Sequence, residues 1–122
     1  MARVLVADDA SFMRQMIREI VEEEGHEVVA EASDGIEAVE CFREHHPDLV
    51  TMDIVMPRRS GIDAVKGIRE LDAGATIVMC SALGQESLVA EAMDAGAADF
   101  IVKPFKPDEV AKTLAKVLKG VE

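Results

Sequence analysis

The sequence predicts an α/β domain, a (βα)5 arrangement in which one parallel sheet is covered by helices on both faces. Three observations predict it. Short, branched apolar runs alternate five times with segments whose apolar residues recur at helical spacing. Runs such as Thr76-Ile77-Val78-Met79-Cys80 are nearly continuous, as strands buried from both sides are. Hydrophobic residues make up 49% of the 122 residues, enough for a real core in one domain spanning residues 1–122.

In chain order, Arg3 to Ala7 reads as the first strand and Asp8-Asp9-Ala10-Ser11 as a loop with capping residues. A helix follows to about Glu24, with Met13, Ile17, Ile20 and Val21 on one face and Gly25 as its stop. His26 to Ala32 is the second strand, and Ser33-Asp34-Gly35 turns into a helix through Val39 and Phe42 that ends before Pro47. Asp48-Leu49-Val50-Thr51-Met52 is a buried strand running into Asp53, and Pro57 to Gly61 is a loop. Gly61 opens a third helix carrying Val65, Ile68 and Leu71. After the Thr76–Cys80 strand, a helix runs from Gln85 to Ala95 and stops at Gly96. Asp99 to Val102 is the fifth strand. Pro107 starts a last helix with Asp108 and Glu109 near its positive end; it runs to Lys119 and ends at Gly120.

Formal net charge is −11 and the isoelectric point is about 4.6. Such a chain repels nucleic-acid phosphates and anionic membranes, which leaves other proteins as its partners. The start lacks a secretion signal, because Asp8 and Asp9 interrupt the apolar run after Arg3, and no stretch is long enough to span a bilayer. Cys41 and Cys80 lack metal or redox spacing and read as packing residues. A reduced, cytoplasmic setting and a monomer are expected.

Right-handed crossovers bring the carboxyl ends of all strands to one edge of such a sheet, where ligands bind. Asp8, Asp9, Asp53, Ser81 and Lys103 would gather there. Each alone has an ordinary explanation: strand-end aspartates cap helices and turns, Lys-Pro is a common turn, and serine satisfies backbone. Together they imply chemistry. Two carboxylates at ~4 Å repel by about 4 kcal/mol at an effective dielectric near 20, and a hard cation relieves this. Mg²⁺ fits, since it takes a few carboxylates, waters and a phosphoryl oxygen. With the Lys103 ammonium and the Ser81 hydroxyl beside it, the set suits phosphoryl transfer to an oxygen nucleophile, Asp53, giving an acyl phosphate.

The stretches Val6-Ala7-Asp8-Asp9, Asp53 with Met56-Pro57 and Gly61, Ser81-Ala82, and Lys103-Pro104-Phe105 are together highly specific. By them the chain resembles the receiver domains of two-component response regulators over nearly its whole length. The runs Asp9 to Arg14, Cys80 to Gln85 and Asp99 to Phe105 are closer still to the single-domain chemotaxis members. The resemblance implies a flavodoxin-like fold with strand order 2-1-3-4-5. It implies Asp53 as phosphoacceptor, Asp8 and Asp9 as metal-binding carboxylates, and Ser81 and Lys103 as phosphoryl contacts. Val55 would give the metal only its backbone carbonyl. Ser81 and Phe100 would form the switch, with Phe100 at a position often held by an aromatic with a hydroxyl, which it lacks. Val55 and Leu83 stand where many relatives are polar, beside the path of attacking water.

The function so implied is a stand-alone chemotaxis regulator. It accepts phosphate from a histidine kinase on Asp53 with Mg²⁺, catalyses its own phosphorylation and dephosphorylation, and then binds a flagellar or archaellar motor switch or its adaptor. A phosphatase would reset it. Because the chain ends after its fifth helix, output by protein binding is expected. The alternative is a phosphorelay intermediate that passes phosphate to another histidine. A flavin or nucleotide carrier is disfavoured because Asp8-Asp9 would repel phosphate. A haloacid-dehalogenase-type phosphatase needs a second Asp where this chain has Val55.

Overall fold

The computed structural model describes residues 1–119. Five strands alternate with five helices: β1 (Arg3–Ala7), α1 (Ser11–Glu23), β2 (Glu27–Ala32), α2 (Gly35–His45), β3 (Leu49–Asp53), α3 (Gly61–Leu71), β4 (Ile77–Ser81), α4 (Glu86–Ala95), β5 (Asp99–Val102) and α5 (Pro107–Leu118). All strand pairs are parallel and the order is β2-β1-β3-β4-β5, as the family resemblance implied.

Two apolar cores follow from the alternation of side chains along each strand. On one face Val50, Met52, Ile77 and Met79 pack with Val39 and Phe42 of α2, Val65 and Ile68 of α3, and Ala92 of α4. On the other, Val4, Val6, Leu49, Val78 and Cys80 pack with Ile17 and Val21 of α1 and with Val110 and Leu114 of α5. Helix starts differ in how they are secured. Asp34 caps α2 by accepting the Glu37 N–H at 2.8 Å, while the Glu37 carboxylate accepts the Ser33 N–H at 2.9 Å, a reciprocal cap. Ser60 caps α3 through the Asp63 N–H.

Two expectations need correction. The N-cap of α1 is Ala10, without any side-chain cap, because the Asp8 carboxylate turns instead to the Ala10 N–H at 2.9 Å and to Lys103. The third helix carries Leu71 as expected, at its last residue, where it is 43% exposed because the chain leaves at Asp72. Several predicted element ends also shift by one residue, as frayed ends do. The predicted helix stop at Gly120 lies outside the described residues; α5 itself is described to Leu118, with Lys119 at its C-cap.

Candidate functional site

The register of the sheet brings three strand ends into line. Ala7 at the end of β1 lies beside Met52, Asp53 beside Cys80, and Ser81 beside Val102. Asp8 and Asp9 follow directly from β1, Lys103 follows from β5, and Asp53 closes β3 between them. The backbone after Asp53 doubles back tightly: the Gly61 N–H donates to the Ile54 carbonyl at 2.8 Å, and a Cβ at Gly61 would overlap the Asp53 carbonyl. Only glycine lets α3 start that close to the carboxylate strand. Arg58 in this loop adopts a left-handed conformation (φ 65°) and pairs with Asp34 at 2.9 Å, tying the loop to the start of α2.

Carboxylate oxygens of Asp8, Asp9 and Asp53 lie within 4.8 Å of one another. Asp8 and Asp53 are buried, whereas Asp9 is exposed and leaves the cluster open to water on its side. The Lys103 ammonium lies 2.9 Å from Asp8 Oδ2 and 3.4 Å from Asp53 Oδ1. Burial, with the charge of Asp8 behind it, pushes the Asp53 carboxyl up to about 6, and Lys103 only partly offsets this. Burial alone would lower the Lys103 ammonium, but its hydrogen bond to Asp8 and the charge of Asp53 outweigh that and hold it above its ordinary value. One ammonium against three carboxylates leaves surplus negative charge. The donors are all hard oxygens, with one side open to water. That set fits a hard divalent cation such as Mg²⁺, with Asp8, Asp9 and Asp53 able to hold it.

Ser81 is buried at the end of β4, and it shares with Phe100 a cavity of about 280 Å³ lined also by Leu83, Val89 and Val102. Phe100 is 41% exposed, on the outer part of β5. Val55 and Leu83 are both exposed beside the acidic cluster's loops. The N–H of Ala82 donates to Gln85 Oε1 at 2.6 Å, which folds the loop after Ser81. All seven residues singled out from the sequence (Asp8, Asp9, Asp53, Val55, Ser81, Phe100 and Lys103) therefore lie at the carboxyl edge of the sheet or on β5 beside it.

Sequence reasoning passed over other contacts. Arg14 donates to the Asp8 carbonyl and to Glu31, and Arg18 donates to Glu31 as well. Burial works against the Glu31 charge, but hydrogen bonds from Arg18 and Arg14 outweigh it and lower the carboxyl. The available signal was Glu31 in the second half of β2, after Val28, Val29 and Ala30, with two arginines one helical turn apart on α1. Thr51, two residues before Asp53, has a buried hydroxyl without a hydrogen-bond partner among the described residues. No helix among them is long and apolar enough to cross a membrane.

The family model described as the response regulator receiver domain matches residues 4–115. A chemotaxis protein CheY of Bacillus subtilis is 57% identical over 116 residues, covering 95% of this chain and 97% of that protein. The chemotaxis protein CheY of Thermotoga maritima is 55% identical over 117 residues, covering 96% of this chain and 98% of that protein. Among solved structures, the CheX-CheY-BeF3-Mg complex from Borrelia burgdorferi superposes with a TM-score of 0.91 at 38% identity, covering 95% of this chain and 88% of the matched one.

Proposed function

The chain belongs to the response regulator receiver family, and from that premise we propose that it is a stand-alone chemotaxis switch charged by phosphate at Asp53. The observation that carries this reading is the Asp53 carboxylate, buried at the end of β3 within reach of Asp8, Asp9 and Lys103. The donor is the phosphohistidine of a chemotaxis kinase. A carboxylate oxygen of Asp53 attacks phosphorus, the P–N bond breaks, and the departing imidazole nitrogen takes up a proton. Without a cation, burial and the charge of Asp8 hold the Asp53 carboxyl near 6, so it is still ionised at neutral pH and available as the nucleophile.

Asp8, Asp9, Asp53 and the backbone carbonyl of Val55 would hold Mg²⁺, which supplies positive charge for the phosphoryl oxygens. Lys103 moves from its bridge between Asp8 and Asp53 to a phosphoryl oxygen. Ser81 turns its hydroxyl to another, forming a charge-assisted hydrogen bond. Phe100 then fills the cavity it shares with Ser81, and burial of its ring stabilises that state by about 1.5–3 kcal/mol. The changed surface of α4, β5 and α5 binds the motor switch, flagellar or archaellar, or its adaptor. Val55 and Leu83 flank the route of the water that later hydrolyses the acyl phosphate, on which a phosphatase would act.

The reading is tested by intact-mass analysis after incubation with acetyl phosphate. The native protein should gain one phosphoryl group with Mg²⁺ and none with excess chelator, and Asp53→Asn should gain none in either. Labelling of Asp53→Asn equal to native sinks the assignment. Asp53 stands as the acceptor only if the mass shift maps to its peptide.

A further inference from the structure

Every polar atom of Asp8 but one is held by something already in the site or the sheet. Its N–H donates to the Ala32 carbonyl at 3.0 Å, its Oδ1 accepts the Ala10 N–H at 2.9 Å, and its Oδ2 accepts Lys103 at 2.9 Å. The remaining atom, the carbonyl oxygen, accepts Arg14 Nη1 at 2.7 Å. That carbonyl lies in the peptide plane that joins Asp8 to Asp9, so whatever holds it also sets the direction in which Asp9 leaves the chain. Asp9 is exposed, and among the described residues its side chain makes no hydrogen bond of its own.

Arg14 is itself held from behind. Its Nε donates to Glu31 Oε1 at 2.9 Å, and the other Glu31 oxygen accepts Arg18 Nε at 2.9 Å and Nη2 at 2.6 Å. Arg14 and Arg18 sit four residues apart on α1, on one face of the helix, and grip one carboxylate of β2. A guanidinium next to a cation site would ordinarily weaken that site by repulsion. Here Glu31, with Glu22 3.4 Å from Arg18, balances the two guanidinium charges while Arg14 keeps a donor aimed at the Asp8 carbonyl.

We propose that Arg14 is a positioning residue for the cation site, fixing the Asp8–Asp9 peptide so that both carboxylates converge with Asp53, with Glu31 as its brace. The proposal rests on the reading of the acidic cluster as a Mg²⁺ site. Groups that orient ligands without touching the metal typically change its affinity by 10–100-fold when removed.

The test is calorimetric Mg²⁺ titration of the unphosphorylated full chain, with folding checked by circular dichroism. Arg14→Ala should bind Mg²⁺ about 10–100-fold more weakly. Arg18→Ala loses its own contacts with Glu31 but leaves the Asp8 carbonyl held, and should stay within roughly threefold of native by the same reasoning. Arg14→Lys keeps the charge but replaces the rigid fork, whose Nε holds Glu31 while Nη1 holds the Asp8 carbonyl, with one ammonium on a flexible stem. It should bind several-fold more weakly than native, and it decides the matter if Arg14→Ala does not fold. In amide spectra without metal, the Asp9 and Ala10 signals should shift in Arg14→Ala and stay in place in Arg18→Ala. Equal Mg²⁺ affinity in native and both Arg14 variants overturns the proposal and leaves the metal reading intact. Equal loss in Arg14→Ala and Arg18→Ala overturns it too, since that marks a purely structural brace. Absence of Mg²⁺ uptake by the native protein overturns both readings.

Discussion

The β3–α3 unit and the α4–β5 unit are joined by the same sheet but built to opposite specifications. All five residues of β3 are buried, and α3 buries six of its own, Gly61, Ile62, Ala64, Val65, Gly67 and Ile68. Helix α4 buries only Ala92, and β5 buries only Ile101, leaving Phe100 and Val102 on the surface. The tight unit nevertheless holds the awkward groups: a carboxyl pushed up to about 6 at Asp53 and an unpartnered hydroxyl at Thr51. The difference teaches where a phosphorylation switch can place its costs. Unfavourable polar groups persist only where dense packing leaves them no other arrangement. A segment with little buried area can instead be rearranged for a few kcal/mol.

The contrast breaks most visibly if two phenylalanines are compared. Phe42 is almost wholly buried against α3 and the sheet, whereas Phe100 is 41% exposed. Phe42→Ala should cost about 3–5 kcal/mol in urea unfolding. Phe100→Ala should cost about 1 kcal/mol or less. Similar losses would mean that β5 is held as firmly as the core that α2 and α3 share with the sheet.

The next effect sharpens the account of Asp53. Its folded carboxyl titrates near 6, above the unfolded value of about 4, so the native state holds the proton more tightly. Stability contributed by this group is therefore present at low pH and is lost as pH rises from about 4 through about 6. In chelator at neutral pH, Asp53→Asn should raise the unfolding free energy by about 1–2 kcal/mol, a figure reduced for solvent screening at the open side of the cluster. The gain should vanish below about pH 4. A gain independent of pH would assign it to packing. The smallest effect tests Thr51: Thr51→Val should stabilise by about 1 kcal/mol at every pH, because it removes a buried hydroxyl that nothing satisfies. Loss of stability there would show that the hydroxyl has a partner.

Much of this arrangement was legible in the sequence, for a topological reason. Once five strand–helix units are recognised, right-handed crossovers place Asp8, Asp9, Asp53, Ser81 and Lys103 on one edge without knowledge of any side-chain contact. The strand order came from family resemblance, because apolar runs such as those of β1 and β4 carry no mark of which neighbour they pair with. Contacts of long side chains were not legible. The helical phase puts Arg14 and Arg18 on one face of α1, but nothing in it says that Arg14 reaches back to the Asp8 carbonyl. Nor does the sequence say that Arg58 crosses to Asp34, which depends on a left-handed turn at an arginine. Periodicity likewise does not separate Val65 and Ile68, which are buried, from Leu71, which lies at the helix end and is exposed.

Of the sheet's two open edges, β2 carries the exposed Glu27, while β5 presents Phe100 and Val102. An edge of that kind is a template on which a second chain can add a strand. Two features blunt it: β5 is only four residues long, and Pro104 soon after it has no N–H to offer. The third is the net charge of −11, which keeps copies apart. Near the isoelectric point of about 4.6 that repulsion fades. Acidification should therefore first bring aggregation along β5 while the cores remain folded, and a lysine on that strand would be the remedy.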